Sequence, residues 1–166
     1  PREIDVGKTS HEIVKETNLY RLLHYKPIFK KPLKTPLLVV YALINKSYIL
    51  DLQDDKSWIK NLLYQGFDVY LIDWKPPTLN DKYVNFDDYV NEYINDCVDT
   101  VRDENSSEKL TLHGYCMGAT MSVMYTTFHQ HKIKNLKEYY FLFQLSFINY
   151  QKMNSEDTLC QNVHAI

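Results

Sequence analysis

The sequence predicts an α/β fold in which a mostly parallel sheet is flanked by helices. The first observation is that residues 35–44 and 67–74 are almost continuous apolar runs, as in strands that are buried on both faces of a sheet. The second is that segments with apolar residues three and four positions apart, typical of helices, alternate with these runs. The length of 166 residues suits one domain with one core.

The elements are predicted in chain order, starting with an irregular arm over residues 1–34. The arm contains prolines and a cluster of four lysines, which favours a solvated linker over a contact with a polyanion: Lys26, Lys30, Lys31 and Lys34. The predicted core covers residues 35–150 and begins with the first apolar strand. A helix over residues 57–65 follows, with Ser57 as its N-cap and Gly66 just past its end.

The second strand, residues 67–74, stops at two consecutive prolines, which cannot continue a central ladder. The helix over residues 86–102 carries one apolar stripe and begins with acidic residues that suit its dipole. The remaining elements are a strand at 109–113, a helix at 117–129, a loop at 132–137, a fourth strand near 139–147 and a divergent tail at 151–166. Successive strands joined by helices imply right-handed crossovers, and functional residues then gather at the carboxyl ends of the strands.

Composition excludes several classes of protein. A net charge of −2 with 24% charged residues gives no reason to expect binding to nucleic acid. Three cysteines, Cys97, Cys116 and Cys160, are too few and too odd in number for a disulfide framework, which favours a reduced, intracellular setting. We expect no signal peptide and no transmembrane segment, because the most apolar stretch is about half of the roughly 18 residues that span a bilayer.

The chemistry of the sequence is concentrated in Gly114-Tyr115-Cys116-Met117-Gly118. This segment lies where a strand is predicted to end and a helix to begin, with the spacing of a nucleophile elbow. The two glycines leave room for a sharp turn that displays Cys116 above the sheet, at the amino end of the following helix. The alternative is a buried structural cysteine in a tight turn, and the paired glycines favour the nucleophile.

The residues around this elbow resemble the catalytic subunits of poly(3-hydroxyalkanoate) synthases, most closely those of classes III and IV. The resemblance rests on four segments: TPLLVVYALINKSYILDL, GFDVYLIDW, FDDYVNEYI and LHGYCMGATMSVMYTTFH. It covers roughly residues 19–136 and implies an α/β-hydrolase fold that is incomplete at the carboxyl end, since members of this family are much longer.

The resemblance also implies the chemistry. It assigns Cys116 the role of a nucleophile that takes the acyl group of a 3-hydroxyacyl-CoA and passes it to a growing polyester. We expect the oxyanion to be held by the backbone N–H groups of Met117 and of Ile44, with core packing as the alternative for Ile44. CoA enters as part of the substrate, so no cofactor and no metal are expected. An accessory synthase subunit or a homodimer is the expected partner, in the cytoplasm at the polyester granule surface.

No histidine in the sequence is well placed to act as the general base. His24 lies in the predicted arm, His113 should point into the packing of the sheet, and His129 and His131 lie roughly 18 Å or more along the helix from the elbow. Cys160 and His164 are too few ligands for zinc. The resemblance places the base and its aspartate in a later part of the family's sequence.

The sequence therefore predicts an acyltransferase subunit or fragment that does not turn over alone. Two alternatives remain open: a non-catalytic remnant or regulatory partner, and another thioester hydrolase with a cysteine elbow. Asp73 ends a strand and could be read as the acid of a catalytic triad, but a structural role is favoured. Asp51, Asp54 and Asp55 are expected to be solvated charges or caps.

Overall fold

A computed structural model describes residue 7, residues 9–53 and residues 55–139 of the chain. They contain a six-stranded sheet with the spatial order β1-β2-β4-β3-β5-β6. The strands are β1 His11–Glu16, β2 Tyr20–Tyr25, β3 Leu37–Val40, β4 Val69–Trp74, β5 Leu110–Tyr115 and β6 Ile133–Tyr139. The pairs β3–β4, β3–β5 and β5–β6 are parallel, whereas β2 is antiparallel to both of its neighbours. The prediction of a mostly parallel sheet is confirmed.

Helices cover both faces of the sheet. They are α1 Trp58–Tyr64, α2 Phe86–Asp88, α3 Ile94–Glu104 and α4 Met117–His129, with a π-helical turn, Tyr89–Tyr93, joining α2 to α3. One core cluster packs α3 and α4 against one face of the sheet, and a second packs α1 against the other. Because both faces are covered, every residue of β3 and β4 is buried, which explains why their sequences are apolar except for Asp73.

The helix starts follow from local side-chain capping. The hydroxyl oxygen of Ser57 accepts a hydrogen bond from the backbone N–H of Lys60 at 3.0 Å, as predicted for the N-cap of α1. At the start of α2, Asn85 and Asp88 form a capping box, in which each side chain accepts from the other residue's backbone N–H. These caps stabilise N–H groups that no helical carbonyl reaches.

The prediction of an irregular arm over residues 1–34 is wrong for residues 11–25, which form β1 and β2. That prediction rested on Pro27, Pro32 and Pro36, which all follow Tyr25. Within β2, Tyr20 and Leu22 face the α3 and α4 side, while Leu23 and Tyr25 join the core on the α1 side. The strand is therefore covered on both faces and belongs to the sheet.

The last described strand also differs from its prediction. Residues 133–139 form β6, where a loop was expected over 132–137, and the strand predicted near residues 139–147 lies almost entirely outside the described residues. The sequence of β6 contains lysines and an asparagine instead of a continuous apolar run. It follows β5 in parallel register, from Leu110 opposite Ile133 onwards. The predicted tail, residues 151–166, also lies outside the described residues.

No helix among the described residues is both long enough and apolar enough to cross a bilayer.

Candidate active site

Cys116 lies at the junction between a strand and a helix, as the sequence predicts. Strand β5 ends at Tyr115 and α4 begins at Met117. Between them Cys116 has φ 58° and ψ −128°, a backbone conformation that L-residues rarely adopt. Holding a non-glycine residue there costs about 1–3 kcal/mol, so the surrounding structure must stabilise the turn by more than that.

Two glycines make this turn sterically possible. A Cβ on Gly114 would lie 2.4 Å from the Cα of Ala119, and one on Gly118 would lie 2.0 Å from the carbonyl oxygen of Val40. Atoms cannot approach so closely, and both obstacles are backbone atoms that side-chain rotation cannot move. Gly118 therefore lets α4 pack directly on β3, and Gly114 lets β5 pass beneath the first turn of α4.

The amino end of α4 lies next to Cys116 and presents backbone N–H groups there. The N–H of Ala119 already donates to the carbonyl oxygen of Cys116 at 2.9 Å. The N–H groups of the first helical residues have no carbonyl partner within their helix, and the helix dipole favours negative charge at this end. Cys116 itself is partly exposed. The site can therefore hold both a thiolate and a developing oxyanion.

The loop after β3 runs beside the elbow. The rings of Tyr41 and Tyr115 lie 5.5 Å apart between centroids, and the indole N–H of Trp74 donates to the carbonyl oxygen of Tyr41 at 3.0 Å. These contacts fix the loop next to the end of β5. The side chain of Ile44, farther along it, is 80% exposed. Ile44 is therefore not packed in the core that the described residues form.

His113 precedes the elbow but is turned into the packing of the sheet, as predicted. It is buried, and its ring lies 4.7 Å from the ring of Trp58 in α1. Burial lowers the pKa of His113 to about 4, with Lys137 adding to the shift, so the imidazole is neutral at pH 7. Its position below the turn, on the α1 side, separates it from the exposed region around Cys116.

His24 lies in β2 instead of an irregular arm. Its Nε2 is 2.7 Å from Oδ1 of Asp68, its Nδ1 is 3.4 Å from Oε1 of Glu12, and its ring stacks on Tyr70 at 4.2 Å. Burial opposes the charged form, but the hydrogen bonds and charges of Asp68 and Glu12 outweigh it, so the pKa of His24 is raised. This cluster lies near the amino end of β4, whereas Cys116 lies at the carboxyl end of the parallel strands.

Asp73 is held by structural contacts, in agreement with the structural role that was favoured. Its Oδ2 accepts from Nε and Nη2 of Arg21 at 3.0 and 2.5 Å, and its Oδ1 accepts from the hydroxyl of Ser47 at 2.5 Å. The group joins β2, β4 and the loop after β3. Sequence reasoning missed Arg21 and Ser47, since nothing in their spacing indicates that they meet.

Of the two roles expected for Asp51, a solvated charge is wrong and a cap is confirmed, since Asp51 is the C-cap of a 3-10 helix, Ser47–Leu50. It is buried, and it accepts hydrogen bonds from the backbone and hydroxyl of Thr9 and from the hydroxyl of Ser57. Among the described residues, no three His, Cys, Asp or Glu side chains lie close enough together to bind a metal ion.

Comparisons with known proteins agree with this architecture. A family described as "alpha/beta hydrolase fold" matches residues 35–136. The chain belongs to the α/β-hydrolase fold family. Within this α/β-hydrolase chain, residues 3–62 also match a family described as "Poly-beta-hydroxybutyrate polymerase (PhaC) N-terminus". The predicted resemblance to poly(3-hydroxyalkanoate) synthases is thereby confirmed.

Curated relatives of the α/β-hydrolase chain are also named as polyester polymerases. The chain is 52% identical over 134 residues to a protein of Haloferax mediterranei and 42% identical over 134 residues to one of Synechocystis, both named "Poly(3-hydroxyalkanoate) polymerase subunit PhaC". Each alignment covers 81% of this chain but only 27% and 35% of the relative, respectively. The chain thus spans about a third of the length of the relatives that it matches.

Solved structures of low sequence identity share the fold. Epoxide hydrolase A from Mycobacterium thermoresistibile matches with a TM-score of 0.55 at 15% identity, covering 78% of this chain and 38% of the other. A predicted CIB-like hydrolase from Thermoplasma acidophilum matches with a TM-score of 0.54 at 15% identity, over 78% of this chain and 61% of the other. At this identity the likeness establishes only the α/β-hydrolase architecture.

Proposed function

We propose that Cys116 is the nucleophile of a poly(3-hydroxyalkanoate) polymerase and accepts 3-hydroxyacyl groups from CoA thioesters. The observation that carries this proposal is the backbone of Cys116, with φ 58° between β5 and α4, which is the strained turn of a nucleophile elbow. The relatives named as polymerase subunits supply the substrate class. A cysteine at this turn suits acyl exchange between thioesters, because the bond formed and the bond broken are of the same kind.

In the first step, the thiolate of Cys116 attacks the thioester carbonyl carbon and forms a tetrahedral intermediate. The intermediate collapses as its bond to the CoA sulfur breaks, CoA leaves as a thiolate that takes up a proton, and the acyl group remains on Cys116. The N–H groups of Met117 and Ile44 are the proposed donors to the oxyanion. Support for Ile44 comes from its loop, which Tyr41 and Trp74 hold beside the elbow.

Elongation needs a second group that removes the proton from an attacking hydroxyl. None of the histidines among the described residues fills this role. His113 is buried and neutral, and His24 is paired at the other end of the strands. His129 ends α4 roughly 20 Å from Cys116 at 1.5 Å per residue, and His131 lies beyond it. His11 lies in β1, four strand spacings from β5, or roughly 19 Å at 4.8 Å per spacing. We therefore propose that this chain alone is acylated once and does not polymerise.

The proposal also covers the setting of the protein. CoA takes part only as substrate, so no bound cofactor or metal is required. An accessory polymerase subunit or a second copy of the chain is the proposed partner, and the proposed location is the surface of polyester granules in the cytoplasm. The accessory subunit is supported by the names of the relatives, which read "polymerase subunit". The other assignments rest on the resemblance to poly(3-hydroxyalkanoate) synthases.

The test is a CoA-release assay with 3-hydroxybutyryl-CoA and a thiol reagent, followed by mass spectrometry of the intact chain. We expect a burst of at most about one equivalent of CoA and one acyl group on Cys116. The Cys116→Ala variant should show no burst, whereas Cys97→Ala, the matched control, should keep it.

Three outcomes would contradict the proposal in different ways. Without acylation of the folded chain, the non-catalytic alternative is favoured. Release of free 3-hydroxybutyrate with repeated turnover indicates a thioester hydrolase with a cysteine elbow. Sustained polymer formation by the chain alone, abolished in Cys116→Ala, shows that the chain contains a general base.

A further inference from the structure

An open cleft of about 270 Å³ lies beside the proposed oxyanion loop. Its walls come from β2, from the end of β4 with Lys75 and Pro76, and from residues 46–48 of the loop after β3. Its volume is below the roughly 300–1,000 Å³ of clefts that enclose a whole drug-sized ligand. The cleft therefore suits one compact group of a larger molecule.

Positive charge dominates the lining of the cleft. Arg21, Lys46 and Lys75 face it together with a single carboxylate, Asp73, although the chain as a whole has a net charge of −2. Asp73 is already satisfied by Arg21 and Ser47. Glu16 pairs with Lys75 as Asp73 pairs with Arg21, so the three cations meet two carboxylates and one positive charge, that of Lys46, is left over. The lining therefore favours an anion.

Each of the three cations has hydrogen-bond donors to spare. Arg21 uses Nε and Nη2 on Asp73, which leaves the N–H groups of Nη1. Lys75 donates to Oε1 of Glu16 and to the carbonyl oxygen of Thr17, which leaves one N–H and fixes the ammonium in place. Lys46 is exposed and makes no ion pair within the described part of the chain.

The cleft and Cys116 lie at the same end of the sheet, where the parallel strands β4, β3 and β5 reach their carboxyl ends. Ile72, Val40 and Gly114 form one row across β4, β3 and β5. Trp74, which lines the cleft, and Cys116 each lie two residues beyond that row. They are separated by two strand spacings, or roughly 10 Å at 4.8 Å per spacing. An extended chain can cross this distance from a thioester at Cys116 to an anionic group in the cleft.

We propose that this cleft binds a phosphate group, and that the group belongs to the CoA of the thioester substrate. The assignment to CoA rests on the function proposed above, since CoA carries its phosphates at the end of a long flexible arm that begins at the thioester sulfur. Arg21, Lys46 and Lys75 come from β2, the loop after β3 and the end of β4, and such a set of charged N–H donors suits the oxygens of a phosphate group. Binding there would hold the substrate while leaving its thioester free to reach the elbow.

The test measures binding of inorganic diphosphate to the Cys116→Ser chain by titration calorimetry at low salt. We expect saturable binding that weakens about tenfold in Lys46→Glu and about threefold in Lys46→Gln, because one charge-assisted contact is reversed or removed. Lys109→Gln is the matched control: Lys109 is also exposed, but it precedes β5 at the opposite edge of the sheet. Its affinity should equal that of the parent chain.

Competition with CoA and with pantetheine tests whether the cleft recognises the phosphates of CoA or only free inorganic phosphate. CoA should displace diphosphate and lose affinity in Lys46→Glu, whereas pantetheine, which lacks phosphates, should not displace it. Absence of saturable diphosphate binding, or equal affinities in the Lys46 and Lys109 variants, overturns the phosphate site. Diphosphate binding that CoA cannot displace overturns the assignment to the substrate.

The diphosphate affinity does not depend on acylation, because the Cys116→Ser chain used to measure it lacks the thiol. A failed acylation assay would leave the diphosphate measurement intact, and failed diphosphate binding would leave the proposed role of Cys116 standing.

Discussion

Cys116 and Cys97 are the same residue type in opposite surroundings. Cys97 lies within α3, is fully buried in the larger core cluster, and burial raises the pKa of its thiol. Cys116 is partly exposed, at the amino end of α4, with a strained backbone. The comparison teaches that the backbone around a thiol, more than the residue itself, decides whether it is available for chemistry.

The largest expected difference is in alkylation rate. Iodoacetamide should label Cys116 about a thousandfold faster than Cys97, because the reagent reaches Cys97 only when α3 opens locally. The measurement is a time course of peptide mass spectrometry on the folded chain. In denaturant the two rates should converge. Equal rates in the folded chain would show that the elbow does not expose its thiol.

Gly118→Ala should break the elbow. The new Cβ would meet the carbonyl oxygen of Val40 at 2.0 Å, so we expect the free energy of unfolding to fall by about 3 kcal/mol. Thr127→Ala, on the exposed part of the same helix, is the control and should change stability by less than about 0.5 kcal/mol. Urea titration checks both, and equal stabilities would mean that α4 does not pack tightly on β3.

Glycine substitution at the two cysteines should change stability in opposite directions. Cys116→Gly relieves the strained φ and should raise the free energy of unfolding by about 1 kcal/mol. Cys97→Gly places glycine inside a helix and removes a buried side chain, so it should lower the free energy by about 2 kcal/mol. Losses of similar size at both positions would argue against strain at the elbow.

The smallest effect concerns pH, at the edge of the sheet away from Cys116. The pKa of His24 is raised above 6.5 in the folded chain, so its stabilisation is complete below that value and is lost as pH rises through the folded pKa. Protonated His24 faces Glu12, Asp68 and the ring of Tyr70. Stability should fall by up to about 1 kcal/mol between pH 5.5 and pH 8.5.

His24→Gln should remove this part of the pH dependence and leave the labelling rate of Cys116 unchanged. Urea titrations at several pH values, with alkylation rates measured alongside, provide the check. An unchanged pH profile in the variant would mean that His24 does not carry the dependence.

The sequence predicted correctly those elements that depend on residues within them or next to them. The glycines around Cys116 indicated the elbow, Ser57 indicated the start of α1, and α4 has the bounds expected from the sequence. The misplaced elements depend on distant partners. The arm forms strands because β2 pairs with β4, and β6 is a strand because β5 offers it an edge. Neither partner is visible in the local sequence.

The cleft could not be predicted for the same reason. Arg21 and Asp73 are 52 residues apart in sequence, and only the antiparallel register of β2 on β4 brings them opposite each other. A spacing-based search finds residues that act within one turn, such as Gly114 and Gly118. It does not find residues that meet across a sheet.

Because β2 lies between β1 and β4, it cannot complete its pairing until β4 has been synthesised. Tyr20 pairs with Trp74, so more than fifty further residues must be synthesised before Tyr20 can pair with β4. During that interval β1 and β2 can pair only with each other, and a two-stranded hairpin is marginally stable in water. Long-range pairing of this kind slows folding, and it leaves the apolar edge of β2 open to other chains until β4 arrives.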